Sequence, residues 1–292
     1  MSPSRPMGQV RAYILRMAGL STTAIKVLRI CNEANTCANT LNRVISLDPV
    51  LTGRVLQLIN SAYYSLPSKV NSLTRAIILL GINTVKNVVL SFALFESFSK
   101  RDAFRAFSAD DFWAHSLSVA AGAKLLAGHQ GVPFAEREDY FVAGLMHDIG
   151  KIPLNHLFTE AYRKAAEWAR SAQAPVCDGE QAVIGIDHGA VGEVIAKKWE
   201  LSPALADALA LHHEPPTLRD RGLKLVDAVA LADVLAHGMG AGIPGTGGPG
   251  EDEQQRFLNA WGLRPETAAE LIAAIDQEIE KARVFLEIAA RD

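Results

Sequence analysis

Cysteine is scarce in this chain of 292 residues, where Cys31, Cys37 and Cys177 are the only examples. Three scattered cysteines are too few for a disulfide framework or a zinc site built from thiolates, and they fit idle thiols in a reducing compartment. Long runs of lysine and arginine are also absent, and the formal net charge is −3. Because bulk charge offers no attraction for polyanions, nucleic acid is not an expected partner.

Long uninterrupted apolar runs are missing as well. The N-terminal sequence MSPSRPMGQVRAYILRMAGL lacks the apolar core of a signal peptide. The most apolar segment, residues 76–94, is interrupted by Asn83, Lys86 and Asn87, which is typical of buried helices and unfavourable for a membrane span. We therefore expect a soluble, cytoplasmic protein with no membrane partner.

Sustained alternation of apolar and polar residues, the mark of a half-buried strand, is found nowhere in the chain, and helical periodicity dominates instead. Asp48 followed by Pro49 predicts a helix N-terminus, and Gly81 separates two apolar helices. The pattern predicts an all-α fold in two lobes. The predicted parts are an N-terminal helical lobe (12–105), a second helical lobe (106–240), a Gly-rich flexible loop or linker (241–255) and C-terminal helices (256–292).

Histidines and aspartates interrupt the apolar helices of the second lobe in the order His, His-Asp, His, His-His, Asp. These residues are His115, His147, Asp148, His188, His212, His213 and Asp233. Imidazole and carboxylate ligands suit iron, manganese, zinc or nickel, and two cations a few ångströms apart can hold a phosphate and activate a nucleophile. Each histidine alone is a weak indicator, but the ordered set predicts a divalent-metal site.

The centre of this set is the sequence GLMHDIGK, residues 144–151. Neighbouring side chains on a helix diverge by about 100°. His147 and Asp148 can therefore meet a metal only if the helix points its end at the site or if Asp148 bridges two metals. Gly150 permits a close backbone approach or a helix end, and Lys151 would lie within reach of an anionic ligand.

Simpler interpretations exist for these residues and their neighbours. Three further histidines are expected to be ordinary core or surface residues: His129, His156 and His237. His213 could instead cap a helix C-terminus, and Asp187 is more readily a helix N-cap than a carboxylate supporting a ligand. Glu214 and Asp227 stay open as additional ligands. Without a metal, the ordered set would form a polar network of core hydrogen bonds.

Four segments carry a family resemblance. They are SLDPVLTGRVLQLINSAYYSLPSKVNSLTRAIILLGINTVKNVVLSFAL, FWAHSLSVA, FVAGLMHDIGK and DHGAVGEVIAKKWELSPALADALALHHEP. They resemble the HDOD family, the HD-related output domain of bacterial signalling proteins, over roughly residues 12–240. The resemblance implies an all-α, two-lobed HDOD architecture with a helical lobe similar to the HD superfamily of metal-dependent phosphohydrolases.

The resemblance also implies a function. HDOD proteins are generally regarded as lacking hydrolase activity, so it implies a bacterial regulatory module that acts through partner proteins. The ordered set matches one by one the metal ligands of the HD-GYP branch, and Lys151 matches the lysine that faces the bridging ligand or substrate phosphate in that branch. Iron is the first expected metal, ahead of manganese, zinc and nickel, and a phosphate-containing ligand is a further expectation. A separate possibility, between a silent module and an enzyme, is that the site binds its metal as a structural clamp or a redox sensor.

The alternative is a metal-dependent phosphohydrolase acting on a nucleotide or cyclic dinucleotide, with Lys151 and Asp148 as catalytic residues. One departure from the HD-GYP branch bears on this alternative. After Glu214 the chain continues with Pro215 and Pro216, and the Gly-Tyr-Pro signature of that branch is absent. Its absence argues against hydrolysis of cyclic di-GMP and leaves metal binding open.

Overall fold

A computed structural model of the chain describes residues 4–17, 19–31, 33, 36–98, 104–214, 224–243, 246 and 248–289. These residues form helices and no strands, which confirms the all-α prediction. The helices are α1 (Ser4–Arg16), α2 (Thr22–Cys31), α3 (Ala38–Ile45), α4 (Pro49–Ile59), α5 (Leu73–Leu80), α6 (Ile82–Ser97), α7 (Ala109–His129), α8 (Arg137–Met146), α9 (Lys151–Leu157), α10 (Thr159–Ala172), α11 (Val176–Val183), α12 (His188–Lys198), α13 (Pro203–Leu211), α14 (Leu225–Gly238), α15 (Glu251–Ala260), α16 (Pro265–Ala282) and α17 (Val284–Ala289). A 3-10 turn, Phe134–Glu136, precedes α8.

Helix ends follow local signals in the sequence. The side chain of Asp48 accepts a hydrogen bond from the Leu51 amide at 3.0 Å, and Pro49 is the first residue of α4. Gly81 separates α5 from α6 with a φ of 89°, a backbone conformation that glycine adopts without a Cβ clash. The two predicted helix boundaries are therefore confirmed.

Helices α6 and α7 are the central elements of the fold. Helix α7 packs against α8, α14 and α16, and α6 packs against α2, α4, α5, α8 and α17. Both helices are buried around most of their circumference. Within the described chain no single helix is both long and apolar enough to cross a membrane, and α5 and α6 meet that criterion only as a pair bent by 117°.

The terminal helices pack against parts of the chain that are distant in sequence. Helix α1 contacts α9 and α12 in the second lobe, and α17 contacts α4 and α6 in the first. Phe285 of α17 is fully buried, with its ring 5.0 Å from that of Tyr63 and 4.8 Å from that of Phe141. The final helix therefore contacts both lobes, while the division of the chain at residues 105 and 240 stays a prediction.

A group of polar side chains joins the two lobes; we call Tyr63, Asn87, Lys124, Glu138 and Asp139 the interlobe cluster. The Lys124 ammonium donates to the Tyr63 hydroxyl at 2.8 Å, pairs with the Glu138 carboxylate, and lies 4.3 Å from the centre of the Tyr63 ring. The Asn87 amide donates to the Asp139 carboxylate at 2.7 Å. These donors and acceptors face each other, so the cluster holds α7 and α8 against the N-terminal lobe.

Candidate metal centre

Five helices bring the ordered set of histidines and aspartates together in the interior of the second lobe. His115 lies in α7, His147 and Asp148 follow α8, His188 begins α12, His212 and His213 follow α13, and Asp233 lies in α14. Apart from His213, these residues are at most 3% exposed. The structure thus places all the predicted site residues in one buried group, and their role as metal ligands stays a prediction.

The Asp148 carboxylate lies between two groups of histidines. Its Oδ1 atom is 3.3 Å from His188 Nε2 and 3.7 Å from His212 Nε2. Its Oδ2 atom is 3.4 Å from the Nε2 atoms of both His115 and His147. Because α8 ends at Met146, the His147-Asp148 pair also stands at a helix end. The arrangement therefore has both features that would let adjacent side chains reach metal ions.

Two sets of candidate ligand atoms share Asp148, each set lying within 4.8 Å. One set comprises Asp148, His188, His212 and His213, and the other comprises His115, His147 and Asp148. Asp233 adjoins the second set, with its Oδ1 atom 3.2 Å from His115 Nε2 and 3.7 Å from His147 Nε2. A shared carboxylate between two sets of imidazoles is an arrangement suited to two neighbouring cations.

Hydrogen bonds at the far side of the rings fix the tautomers of four histidines. The Nδ1 acceptors are Ala241 O for His115 (2.9 Å), Gly144 O for His147 (2.7 Å), Glu180 Oε2 for His188 (2.6 Å) and Ala208 O for His212 (3.0 Å). Carbonyl and carboxylate oxygens only accept hydrogen bonds, so each Nδ1 donates. Each neutral ring then presents an Nε2 lone pair to the centre, as metal-binding histidines do.

Several of the converging atoms have no hydrogen-bond partner among the described residues. They are His115 Nε2, His147 Nε2, Asp148 Oδ1 and Asp233 Oδ1, and all four are buried. His188, which donates through Nδ1, can accept at Nε2 a hydrogen bond of 2.9 Å from His213 Nε2. Buried polar atoms without partners are costly, and a cation would complement the four that remain. The donor set therefore fits a divalent metal.

Glu180 of α11 is a site residue that the sequence did not reveal. It is fully buried, and its Oε2 atom accepts hydrogen bonds from both the backbone amide (2.7 Å) and Nδ1 (2.6 Å) of His188. A carboxylate behind an imidazole orients the ring and raises its basicity as a ligand. Asp187 is the N-cap of α12, as expected, and accepts from the Ala190 amide at 2.8 Å.

Gly150 makes the close packing around His188 feasible. A Cβ atom at Gly150 would lie 2.0 Å from the His188 carbonyl oxygen and 2.9 Å from the Gly192 amide nitrogen. Only glycine therefore allows α12 to approach the turn that follows His147-Asp148. The close backbone approach predicted from GLMHDIGK is confirmed.

The buried charges of the centre depend on one another. Burial opposes the ionisation of Asp148, but His147 and Lys151 outweigh it and hold the pKa of Asp148 well below its usual range. Burial likewise works against protonation of His147, yet Asp148 and Asp233 raise the pKa of His147 to about 10, so a cation would bind there by replacing the proton on Nε2. In contrast, burial lowers the pKa of His212 to about 4. The Lys151 ammonium, which is 3% exposed, donates to Asp148 Oδ2.

The histidines outside the ordered set have different surroundings. His129 is exposed at the end of α7, and the His156 ring packs against Tyr13 with ring centres 4.9 Å apart. His237 departs from the expectation of an ordinary core or surface histidine. It follows Asp233 by one helical turn, and its Nδ1 atom lies 3.2 Å from Asp233 Oδ1.

The two residues left open as additional ligands also have clear positions. The Asp227 carboxylate accepts from the Lys224 amide at 3.3 Å and forms a capping box at the start of α14. Glu214 is exposed after α13. Neither belongs to the groups of atoms that converge around Asp148.

Comparison with known proteins agrees with the helical fold. An HDOD domain protein of unknown function from Geobacter sulfurreducens has a TM-score of 0.70 at 22% identity, with 98% of each chain covered. A candidate phosphohydrolase from Shewanella amazonensis SB2B has a TM-score of 0.71 at 22% identity, covering 95% of this chain and 98% of its own. At these identities the similarity establishes the fold alone.

A sequence relative and a family model complete the comparison. An uncharacterized protein of Treponema pallidum (strain Nichols) is 20% identical over 215 residues, or 74% of this chain, which spans 41% of the length of that relative. The model of the HDOD domain matches residues 17–215, well over half of the chain. This chain therefore belongs to the HDOD family.

Proposed function

We propose that this HDOD protein is a bacterial signal-transduction module built around a buried divalent-metal centre, and that it acts on partner proteins without hydrolysing a substrate. The observation that carries the proposal is the convergence of unpaired ligand atoms on one buried point, including His115 Nε2, His147 Nε2 and Asp148 Oδ1. A cation bound there would hold five helices together. Its presence or absence would then alter the lobe as a whole.

Two overlapping ligand sets would hold the metal. One cation would be held by His115, His147, Asp148 and Asp233, and a second by Asp148, His188, His212 and His213. Iron is the proposed metal because the mixture of imidazole and carboxylate ligands lies between the preferences of zinc and magnesium; manganese, zinc and nickel are the alternatives. When bound, such cations supply positive charge and Lewis acidity.

Burial favours a regulatory role over turnover. His147, Asp148 and His188 are fully buried, and His115 and His212 are 1% exposed. A phosphodiester would have to reach ligands that the described helices enclose. Retention of a cation needs no such access, so ligands this deeply buried suit a metal that stabilises or reports a state of the lobe.

The N-terminal lobe offers surface for a partner protein. Among the apolar side chains of this lobe that are more than half exposed, Leu47, Val50, Ile78 and Leu79 lie in or next to α3, α4 and α5. Exposed apolar side chains on one lobe are typical of interaction sites when they adjoin each other. Helices α3, α4 and α5, which carry or border them, contact each other. We propose this lobe as the partner-binding side of the module.

Lys151 supports a second candidate function, a metal-dependent phosphohydrolase. Its ammonium lies beside the Asp148 carboxylate at the centre of the ligand group. Burial opposes its charge, but Asp148, Asp233 and Glu180 raise the pKa of Lys151, so it stays protonated. A fixed cation at this position could bind a phosphate oxygen and stabilise charge that develops during phosphoryl transfer.

A metal-loading experiment combined with a phosphodiester panel separates the two functions. The chain would be loaded anaerobically with Fe²⁺ and separately with Mn²⁺, Zn²⁺ and Ni²⁺, and then incubated with nucleotides and cyclic dinucleotides. The regulatory proposal expects about one or two metal ions per chain and no phosphate release above that of Asp148→Asn. Turnover that disappears in Asp148→Asn, and in Lys151→Met with its metal retained, would contradict it and establish the hydrolase.

The same preparation tests the phosphate ligand. Inorganic phosphate is expected to raise the melting temperature of the metal-loaded chain, because a ligand that binds only the folded state stabilises it. Lys151→Met should lose this increase while keeping its metal. An equal increase in both proteins would remove Lys151 from the proposed phosphate site.

A further inference from the structure

His237 lies beside the metal centre without belonging to the ordered set. Its Nδ1 atom is 3.2 Å from Asp233 Oδ1 and 3.0 Å from the Asp233 carbonyl oxygen. Its ring centre is 5.1 Å from that of His115, whose Nε2 atom is also 3.2 Å from Asp233 Oδ1. Two imidazoles therefore approach the same Asp233 Oδ1 atom, and His115, Asp233 and His237 form a further group of candidate ligand atoms next to the two that share Asp148.

Two glycines enclose the outer side of the His237 ring; we call Gly242 and Gly248 the glycine cradle. A Cβ atom at Gly248 would lie 2.4 Å from His237 Cδ2, and one at Gly242 would lie 2.9 Å from the same atom. Neither glycine has a positive φ. Contact with the ring, and not an unusual backbone conformation, is therefore what excludes a side chain at these positions.

The backbone next to the cradle also touches the centre. The carbonyl of Ala241, adjacent to Gly242, accepts the hydrogen bond from His115 Nδ1 at 2.9 Å. One short stretch of backbone thus positions the His115 ring directly and packs against the ring of His237. Packing restricts the His237 ring to the orientation in which Nδ1 faces Asp233.

We propose that His237 is a positioning residue of the metal centre, which holds the Asp233 carboxylate for the cation, and that the glycine cradle keeps His237 in place. The Nδ1–H group donates to the Asp233 carbonyl oxygen and, at 3.2 Å from Oδ1, turns its positive end toward the carboxylate, which restricts the orientation of that carboxylate. Residues that orient a metal ligand without contacting the metal commonly influence how tightly the metal binds. This inference rests on the proposed metal-binding function.

Substitution of His237 tests its role, with metal affinity measured by competition against a chromophoric chelator. His237→Leu removes the donor and is expected to weaken binding about 10- to 100-fold. His237→Asn keeps an N–H group at the position of Nδ1 and should recover most of the affinity. His129→Leu, at an exposed histidine, is the matched control and should bind like the wild type.

The outcomes separate this inference from the proposed function. Wild-type affinity in His237→Leu would overturn the positioning role while leaving the metal function intact. Equal losses in His237→Leu and His237→Asn would also overturn it, because the donor would then not be what matters. A wild-type chain that binds no metal would overturn both. The melting temperatures of the metal-free proteins report whether each variant is folded.

The glycine cradle is tested by the half-time of metal loss to excess chelator. Gly248→Ala places a methyl group against the His237 ring and should shorten this half-time about tenfold. That is the lower end of the roughly 10- to 100-fold effect expected when a residue that orients a metal ligand is disturbed. Gly238→Ala is the control, because a Cβ atom there would meet only Gln254 Oε1 at 3.9 Å. Equal half-times for the two variants would overturn the role of the cradle.

Discussion

Helices α7 and α8 contribute to two polar clusters, one at each end of the pair, and the interlobe cluster is partly exposed at Lys124 and Asp139. The interlobe cluster places the Lys124 ammonium against the Glu138 carboxylate and the Tyr63 hydroxyl. At the other end, the Nε2 atoms of His115 and His147 face carboxylate oxygens of Asp148 and Asp233 without forming hydrogen bonds. Both clusters are enclosed by the same helices, yet their chemistry differs.

The two clusters differ in how far protein atoms alone satisfy their hydrogen-bond donors, acceptors and charges. In the interlobe cluster the Lys124 and Asn87 donors reach carboxylate acceptors, and Asn87 Oδ1 is the one buried side-chain atom of the cluster without a partner among the described residues. In the proposed metal centre, hydrogen bonds to backbone carbonyls and Glu180 occupy the Nδ1 atoms, and four converging Nε2 and carboxylate oxygen atoms stay without a hydrogen-bond partner among the described residues. A cluster of the first kind stabilises the fold as it stands, whereas a cluster of the second kind gains its stability from a cation. The proposed regulatory role depends on that distinction.

Asp148→Asn should have the largest effect, because Asp148 is shared by both ligand sets. The substitution keeps the shape of the side chain but removes its charge. We expect nearly all bound metal to be lost while the interlobe cluster is unaffected, as measured by metal analysis and by helix content from circular dichroism. Asp207→Asn, at an exposed aspartate of α13, is the control. Full metal content in Asp148→Asn would show that the comparison between the clusters is wrong.

Gly150→Ala should destabilise the metal centre through its packing. The new methyl group would clash with the His188 carbonyl oxygen, which is backbone and cannot rotate away. We expect a loss of about 3 kcal/mol in the free energy of unfolding, at the upper end of overpacking effects, as measured by urea denaturation. Gly53→Ala is the control within a helix, since a Cβ atom there meets nothing within 4 Å. A loss no greater than that of the control would contradict the close approach.

Lys124→Met tests the interlobe cluster, the other member of the comparison. It removes the cation of the interlobe cluster and leaves the Glu138 carboxylate, whose side chain is 2% exposed, without its partner. Because Lys124 is partly accessible, we expect a loss of about 2 kcal/mol, which is less than the cost of breaking a fully buried pair. The metal content should stay at the wild-type value.

The control is Lys197→Met, in an exposed pair with Glu193, which should lower the free energy of unfolding much less. A loss of metal in Lys124→Met would mean that the clusters are not independent.

Glu180→Gln should have the smallest effect of the series. An amide can still accept hydrogen bonds from His188 but lacks the charge that raises the basicity of the imidazole. We expect metal affinity to fall about tenfold, with the number of bound ions unchanged at saturation, as measured by chelator competition. Glu193→Gln, at a surface glutamate of α12, should leave affinity unaltered. An unchanged affinity in Glu180→Gln would limit Glu180 to a structural role.

The sequence predicted those features of the molecule that local patterns determine. Helical periodicity predicted the all-α fold, and Asp48-Pro49 and Gly81 predicted helix boundaries. The order of histidines and aspartates predicted which residues converge. Each interrupts an apolar helical pattern, where a buried polar side chain is unfavourable unless it has a hydrogen-bond partner or a ligand.

The features that were missed depend on contacts between distant elements. Glu180 lies in a short helix whose amphipathic pattern is that of a surface helix, and only the approach of α11 to His188 gives its carboxylate a role. His237 resembles an ordinary helix residue until Gly242 and Gly248 are seen to hold its ring. A Gly-rich sequence predicts a loop but does not say what the loop contacts.

Elemental analysis of the chain, purified without added metal or chelator and again after anaerobic loading, tests the central claim most directly. The account predicts about one or two divalent ions per chain in the wild type and in Lys124→Met, and almost none in Asp148→Asn. A wild-type chain that stays free of metal after loading would contradict the account. The proposed metal centre would then be a polar network, like the interlobe cluster.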